Sequence, residues 1–313
     1  MSDLKIFSDS IQINNKRVIV RLDLNVPIKN FKVEDDTRIK VVIPFLNKLL
    51  KKKAKVILIT HLGRPKGKVV PELSLNPIFD YFKKNLKEKI YFYQNEMDNN
   101  AVEASNKLAT GEVLLFENIR FFKEEEEDEE NFAKNLAKLG DIFVNEAFSC
   151  SHRKQASIHK ITKFINSYGG PLLNKEISSI DLLIKNKKKP ISCIIGGSKI
   201  STKINVLINL IKSSDNLIVV GAMANNFIKF KGNKVGKSLV ETSSEIIINE
   251  IYDKAIEYNC EIVTPLDFAV SENTEGKANF RGLNSVNENE IILDIGPKTI
   301  KKICDICFEN SSF

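Results

Sequence analysis

Arginine and histidine side chains recur in the first half of the chain, each a few residues after an apolar segment or at the start of a helical pattern. These residues are Arg38, His61, Arg64, Arg120, His152 and Arg153. Guanidinium groups bind the oxygens of phosphate and carboxylate through paired hydrogen bonds. Any one of these arginines could be an ordinary surface residue. It is much less probable that several of them would follow predicted strands in the same way by chance. The pattern therefore predicts an anion-binding site.

Two of the apolar segments end in polar clusters. Residues 17–22 are followed by Asp23 and Asn25, and residues 56–60 run directly into His-Leu-Gly-Arg-Pro at 61–65. The carboxyl ends of parallel strands lie at one edge of a sheet, where ligands bind. His61 alone could be a structural histidine, but its place beside Gly63 and Arg64 favours a ligand role. We expect the ligand that binds at this edge of the sheet to be an anion.

A second cluster lies in the other half of the chain. A predicted strand ends at Gly196 and Gly197, and a helical pattern with Lys199 and Lys203 on one face follows. Glycines let a ligand approach the backbone, and helix N-termini attract phosphate, so phosphate binding is favoured over a plain turn. The spacing is not that of a Walker A loop. A third strand ends at Gly221. This glycine could help to form a nucleotide-binding site or could only allow close packing, and the residues around it favour neither interpretation.

Several catalytic patterns are missing from the sequence. It has no local Ser–His–Asp signature, no His-Glu-x-x-His, no full Gly-x-Gly-x-x-Gly after the first strand and no poised pair of carboxylates. Phosphoryl transfer to an already ionised oxygen needs positioning and positive charge but no strong base. That class of reaction fits the residues present.

Strand and helix patterns alternate through both halves of the chain, which predicts parallel sheets with right-handed crossovers. Strands are predicted at residues 17–22, 55–60, 90–93, 113–116, 142–145, 191–195, 217–220 and 261–264. Helices are predicted at residues 38–50, 75–86, 132–139, 172–185, 201–212, 223–230, 243–258 and 298–307. We expect two Rossmann-like three-layer α/β/α domains with mainly parallel sheets, the second incomplete with only three clear strands.

The break at Gly169-Gly170-Pro171 suggests the domain limits. We expect an N-terminal domain at 1–170, an inter-domain hinge helix at 171–186 and a C-terminal domain at 187–313. The chain ends after residues 308–313 without a closing strand.

Composition narrows the class of protein. The 313 residues carry a net charge of +7 and 42% apolar side chains, and no stretch approaches the roughly 20 apolar residues of a membrane span. The N-terminus lacks a signal-peptide pattern, so a cytoplasmic protein is expected. No nucleic-acid motif accompanies the basic charge. The lone Cys304-x-x-Cys307 lacks further ligands, so no metal site is predicted.

The motifs, taken together, resemble those of the phosphoglycerate kinase family along the whole chain. The most specific are Val-Arg-Leu-Asp-Leu-Asn-Val-Pro at 20–27, His-Leu-Gly-Arg-Pro-Lys-Gly at 61–67 and Phe-Glu-Asn-Ile-Arg-Phe at 116–121. The other matching stretches are residues 35–39, 152–153, 196–199, 235–239 and 294–299.

The resemblance implies a monomeric glycolytic enzyme that transfers phosphate between 1,3-bisphosphoglycerate and ADP, giving 3-phosphoglycerate and ATP. It implies that the N-domain binds phosphoglycerate, that the C-domain binds the nucleotide with Mg²⁺, and that hinge closure excludes water. The implied substrate-binding residues are Asp23, Leu24, Asn25, Arg38, His61, Leu62, Gly63, Arg64, Arg120 and Arg153. The implied catalytic residues are Arg38, Lys199 and Lys203. The implied nucleotide-binding residues are Gly197, Ser198, Lys203, Gly221 and Ile292.

The sequence departs from the family pattern at a few positions. Leu24 replaces a phenylalanine, Gln155 a histidine and Thr202 an aspartate, while Val220, Ala222 and Ile292 replace glycines. The Ile292 side chain is expected to crowd the nucleotide slot.

The chain stops just short of the family's Trp-Asn-Gly-Pro motif and of its later glycine-rich loop with a metal-ligating aspartate. We therefore expect a C-terminally truncated family member with little turnover, whose Mg²⁺ ligand would lie in the missing segment. A non-enzymatic relative that binds phosphoglycerate is the alternative, although a pure binder would not need Arg38 and Lys203. An unrelated dehydrogenase is disfavoured, since the dinucleotide fingerprint is missing.

Overall fold

A computed structural model describes residues 4–185 and 189–309. The chain forms two compact units, with the boundary between Leu183 and Ile184. That boundary falls inside a helix, Pro171–Lys185, which begins at the predicted break. The predicted limits at residues 186 and 187, and the chain end at 310–313, lie outside the described residues. The assignment of one substrate to each domain stays a prediction.

The first unit is built on a six-stranded parallel sheet with the order β5-β6-β4-β1-β7-β8. Its strands are β1 Arg17–Arg21, β4 Lys55–Ile59, β5 Ile90–Tyr93, β6 Val113–Phe116, β7 Ile142–Asn145 and β8 Ser167–Gly169. A hairpin of β2 Ile28–Lys29 and β3 Lys32–Val33 follows β1. β1 pairs with both β4 and β7, and Val18, Ile19 and Val20 are fully buried. Such continuous apolar strands are typical of parallel sheets covered on both faces.

Helices cover both faces of this sheet. They are α1 Thr37–Lys51, α2 Asn76–Asn85, α3 Asn99–Lys107, α4 Lys123–Glu126, α5 Glu130–Lys138 and α6 Pro171–Lys185. One apolar cluster joins the sheet to α1 and α2, and a second joins it to α3 and α5. Asp98 and Glu129 cap α3 and α5 by accepting hydrogen bonds from backbone amides, as expected at helix N-termini. None of the helices in the described part of the chain is long and apolar enough to cross a membrane.

The second unit contains two sheets, and here the prediction of three clear strands was wrong. The predicted parallel sheet has the order β11-β10-β9, formed by β9 Ser192–Gly196, β10 Asn216–Val220 and β11 Glu261–Val263. An additional antiparallel sheet has the order β13-β12-β14, formed by β12 Asp267–Ser271, β13 Asn279–Gly282 and β14 Ile291–Ile295. No helix separates these three strands, so the alternation of strand and helix patterns that identifies parallel strands does not reveal them.

Helices α7 Ile204–Ile211, α8 Ala222–Phe230 and α9 Glu245–Glu257 flank the parallel sheet, and α10 Pro297–Glu309 follows β14. Leu207, Phe227 and Ile251 are fully buried in its core. The helix predicted from residue 201 starts as a separate 3₁₀ turn, Ser201–Lys203.

Candidate functional site

The carboxyl edge of the first unit's sheet holds a polar cavity of about 290 Å³. It is lined by Asp23, Asn25, Arg38, His61, Gly63, Arg64, Arg120, Ser149, Cys150 and Arg153. The loops after β1, β4, β6 and β7 supply most of this lining, and α1 supplies Arg38. Four arginines against one aspartate give the cavity a positive charge. Most of the side chains predicted to bind an anion at this edge therefore line a single cavity.

Asp23 is the hub of one wall of the cavity. Its Oδ2 accepts hydrogen bonds from Arg38 Nη1 at 2.5 Å and from the Ser149 hydroxyl, and its Oδ1 accepts one from the Asn25 amide at 3.1 Å. Burial alone would raise the pKa of Asp23, but the hydrogen bonds from Ser149 and Asn25 hold that pKa below its usual value. Asp23 is therefore ionised at neutral pH and orients Arg38 at the cavity.

A chain of hydrogen bonds connects the loops of the opposite wall. Asn25 Oδ1 accepts from the Gly63 amide at 2.8 Å, and Arg120 Nη1 donates to the Gly63 carbonyl at 2.9 Å. Gly63 has a φ of +61°, and a Cβ there would lie 2.7 Å from the Leu73 side chain. Only glycine fits this turn without strain. The backbone at Gly63 thus fixes both Asn25 and Arg120.

Arg120 is a buried cation with spare hydrogen-bonding capacity. Only 3% of it is exposed, and its Nε has no partner among the described residues. Burial lowers the pKa of Arg120, although not enough to discharge a guanidinium. A buried donor without a partner is costly, so an anion that accepts from it would stabilise the site.

His61 lies on the floor of the cavity and is neutral. It is 3% exposed, and burial together with the positive charges of Arg21 and Arg120 lowers its pKa to about 2. Its Nε2 lies 3.9 Å from Asp23 Oδ1. His61 therefore offers a polar N–H rather than a positive charge.

Most of the predicted substrate-binding side chains come together in this cavity, but not all. Leu24 and Leu62 are buried in the apolar core and do not line it. His152 is exposed and is not among the lining residues. Sequence reasoning missed Ser149 and Cys150, although both follow β7 as the other lining residues follow their strands.

Asp23, His61 and Cys150 form the one group of potential metal ligands found among the described residues, with ligand atoms within 4.8 Å of one another. This mixed oxygen, nitrogen and sulfur set does not fit Mg²⁺, which prefers oxygen ligands. The surrounding arginines also oppose a cation. The donor set and the charge both favour an anion here.

In the second unit, the two predicted glycine turns lie side by side. Lys203 Nζ donates to the Gly196 carbonyl at 3.1 Å, and a Cβ on Gly197 would lie 3.0 Å from Lys203 Nζ. A Cβ on Gly221, whose φ is +66°, would lie 3.4 Å from the Gly197 amide nitrogen. Ser198 and Lys199 are exposed beside them. The close approach of backbone to a lysine amine provides groups that can bind phosphate.

The helix N-terminus expected to bind phosphate here already has an acceptor. The Glu241 carboxylate accepts from the amides of Ile200 and Ser201 at 2.6 and 3.1 Å and from the Ser201 hydroxyl at 2.6 Å. The hydrogen bond from Ser201 also lowers the pKa of Glu241. These amides are therefore already paired, and the groups of this unit that remain able to bind an anion are Lys199, Lys203 and the glycine turns.

Gly221 and Ile292 line a second, very small cavity of about 10 Å³ with Asn225 and Phe268. Asn225 Oδ1 is buried there without a partner among the described residues. The expected crowding of a nucleotide by Ile292 stays a prediction.

Comparison with known proteins gives the same family at every level. The family model described as phosphoglycerate kinase matches residues 8–311. The curated phosphoglycerate kinase of Wolbachia pipientis subsp. Culex pipiens is 42% identical over 299 residues, which is 95% of this chain and 75% of that protein. That of Coprothermobacter proteolyticus is 40% identical over 292 residues, 93% of this chain and 74% of that protein.

Solved structures agree. Phosphoglycerate kinase from Coxiella burnetii has a TM-score of 0.78 at 36% identity, covering 96% of this chain and 77% of the other. The enzyme from Pyrococcus horikoshii has a TM-score of 0.83 at 28% identity, covering 97% and 78%. The chain spans about three quarters of the length of its curated relatives. By sequence, by fold and by its ordered motifs, this chain belongs to the phosphoglycerate kinase family.

Proposed function

We propose that the chain is a phosphoglycerate kinase that transfers a phosphoryl group reversibly between 1,3-bisphosphoglycerate and ADP. The observation that carries the proposal is the positive cavity of the first unit, in which Arg38, Arg64, Arg120 and Arg153 surround one space. A phosphoglycerate carries a carboxylate and a phosphate, and both are bound well by arginine. We also propose, from the family alone, a monomer that works in cytoplasmic glycolysis.

Within the cavity, each group has a distinct proposed role. Arg120 and Arg153 bind the anionic ends of phosphoglycerate, while Asn25 and His61 supply directional hydrogen bonds. Arg38 is held by Asp23 and half exposed, so it can both bind substrate and stabilise charge on the transferred group. The acceptor carboxylate is ionised at neutral pH, so no general base is required.

The second unit is proposed to bind the nucleotide. Lys203 contacts its phosphates and Lys199 steadies the transferred group, with Gly197, Ser198, Gly221 and Ile292 beside them. In phosphoryl transfer, Mg²⁺ neutralises charge on the phosphate oxygens. The described residues offer no oxygen-rich site that fits Mg²⁺, so the ion is assigned to no residue of this part of the chain.

Transfer requires the donor phosphate to meet the acceptor carboxylate with water excluded. Helix α6 carries the boundary between the two units and is our proposed hinge.

Two titrations test the proposal. Calorimetry with 3-phosphoglycerate should show one site per chain, and a separate titration with MgATP should show a second, independent site. An assay coupled to ATP consumption then measures transfer, and we expect little turnover, since the described residues offer no site that fits Mg²⁺. Absence of 3-phosphoglycerate binding would overturn the proposal, whereas binding of 3-phosphoglycerate without MgATP would support the non-enzymatic alternative.

A further inference from the structure

Arg21 is a buried charge that the proposed mechanism does not use. It is the last residue of β1 and is 0% exposed. Its Nη1 donates to the Leu22 carbonyl at 2.5 Å, and its Nε donates to the Ser157 hydroxyl at 2.8 Å. Fully buried arginines are rare unless they are paired, so this placement needs a reason.

The guanidinium is held by a second buried group, Glu125. The Ser157 hydroxyl donates to Glu125 Oε1 at 2.6 Å, and the Ser157 amide donates to Oε2 at 2.8 Å. Arg21 Nη2 lies 4.0 Å from Glu125 Oε1, and both side chains are 0% exposed. Arg21, Glu125 and Ser157 therefore form one buried network, which fixes the guanidinium in position.

The other side of Arg21 faces the cavity histidine. Arg21 Nη1 lies 3.5 Å from His61 Nδ1. A guanidinium can only donate hydrogen bonds, so the nitrogen beside it must be the unprotonated, accepting one. The opposite nitrogen, Nε2, lies 3.9 Å from the Asp23 carboxylate, which can only accept. Both neighbours favour the same tautomer.

We propose that Arg21, held by Glu125 and Ser157, is a positioning residue that fixes His61 as the neutral tautomer protonated on Nε2. The other groups near His61 agree with this state or are neutral to it. Arg120 and Arg153 oppose a second proton, while Cys150 Sγ lies 3.9 Å from both ring nitrogens and does not distinguish them. This proposal depends on the proposed function only in taking 3-phosphoglycerate as the ligand of the cavity.

The consequence for binding follows from the proton's position. An Nε2–H on the cavity lining, 3.9 Å from Asp23 Oδ1 and not hydrogen-bonded to it, gives an anionic ligand a donor whose protonation does not change where a free histidine titrates. Positive charge in the cavity then comes from the arginines alone. The network would make His61 a fixed donor rather than a pH-dependent cation.

Nitrogen NMR of the histidine rings tests this directly, because protonated and unprotonated ring nitrogens have well-separated chemical shifts. The chain has only 3 histidines, and His152→Gln and His159→Gln variants identify the signals of the other two. In the unmodified protein we expect His61 to be unprotonated at Nδ1 and protonated at Nε2 from about pH 5 to about pH 8. A proton on Nδ1, or titration of His61 in this range, would overturn the proposal.

A paired variant tests the role of the network. Arg21→Met with Glu125→Gln removes both buried charges together, which proteins often tolerate. We expect part of the neutral His61 population in this variant to carry its proton on Nδ1 instead of Nε2, because the neighbour of Nδ1 that could only donate is gone. Arg17→Met with Asp141→Asn is the matched control, since it removes an ion pair of 2.9 Å at the other end of β1. The control should leave the His61 signals unchanged.

If the paired variant does not fold, Arg21→Gln with Glu125→Gln keeps hydrogen-bonding groups in the network but replaces the donor-only guanidinium with an amide that can also accept. The same change at Nδ1 is expected. An unchanged His61 spectrum in whichever variant folds would show that Arg21 does not set the tautomer. Adding 3-phosphoglycerate to the unmodified protein is a separate step. If His61 is protonated on Nε2 but its Nε2 chemical shift does not change when 3-phosphoglycerate is added, the proposed substrate is wrong and the tautomer proposal still holds.

Discussion

At the scale of single residues, the account depends most on Arg120, a buried cation whose Nε has no hydrogen-bond partner in the part of the chain that the structure describes. Arg120→Met should weaken 3-phosphoglycerate binding by about 10- to 100-fold, since a charged hydrogen bond contributes roughly 1.5–3 kcal/mol. Arg120→Lys should recover only part of this, because lysine keeps the charge but loses the planar fork. Calorimetric titration of both variants measures the effect.

The control for these variants is Lys134→Met, on the exposed face of α5 and outside the cavity lining. If Arg120→Met and the control bind 3-phosphoglycerate with equal affinity, Arg120 does not contribute to the binding site.

His61 makes a prediction about stability and pH. Its pKa is about 2 in the folded chain and near 6.5 in the unfolded chain, so the unfolded state binds the extra proton first. The stability that neutral His61 provides is therefore complete above about pH 6.5 and falls as the pH decreases. Between about pH 7.5 and pH 5, the original chain should lose about 2 kcal/mol relative to His61→Gln. Urea unfolding at both pH values measures this, and equal losses in the two proteins would contradict it.

At the scale of elements, the N-terminus of α6 is held by an unusual carboxylate. Glu146 is 2% exposed, and its Oε2 accepts from the amides of Leu172 and Leu173 at 2.7 and 3.2 Å. Its Oε1 has no partner among the described residues, and burial raises its pKa to about 7 despite the two amides. The folded state therefore favours the neutral acid.

Glu146→Gln should accordingly become the more stable protein as the pH rises. The raised pKa means that stability is full below the unfolded value near 4.5 and declines up to about pH 7. From about pH 5 to about pH 8, the original chain should lose about 2 kcal/mol relative to the glutamine variant. Thermal or urea unfolding across this range checks the sign, and a difference that does not depend on pH would refute it.

The elements also show how far sequence reasoning reaches. Five of the six strands of the first unit's parallel sheet were predicted because buried parallel strands are continuous apolar runs, and the polar residues after them predicted the lining of the cavity. The strand β8 and the hairpin of β2 and β3 were missed because they are only two or three residues long. β12, β13 and β14 were missed because they follow one another without an intervening helix, and antiparallel pairing between them is a long-range contact that one sequence does not display. Ser149 and Arg21 were missed as site residues because their roles arise only from contacts with Asp23 and His61, distant in sequence. The Glu241 carboxylate on the amides of Ile200 and Ser201 is a further long-range contact of this kind.

At the scale of the whole molecule, two separate cores predict two responses to ligands. Each unit has its own apolar clusters, so each can unfold with its own transition. A ligand stabilises the unit that binds it. We expect 3-phosphoglycerate to raise the unfolding midpoint of the first unit and MgATP that of the second. Thermal unfolding followed by the fluorescence of a site-specific label in each unit would separate the two transitions. An increase in the unfolding midpoint of the second unit alone on adding 3-phosphoglycerate would contradict the assignment.

The central claim is that the arginine-lined cavity of the first unit binds phosphoglycerate. Hydrogen exchange measured by mass spectrometry, with and without saturating 3-phosphoglycerate, tests it most directly. The account predicts slower exchange in the loops at residues 22–27, 61–67, 117–121 and 149–153, with the parallel sheet of the second unit unchanged. Protection confined to the second unit, or no protection in these loops at saturating ligand, would contradict it.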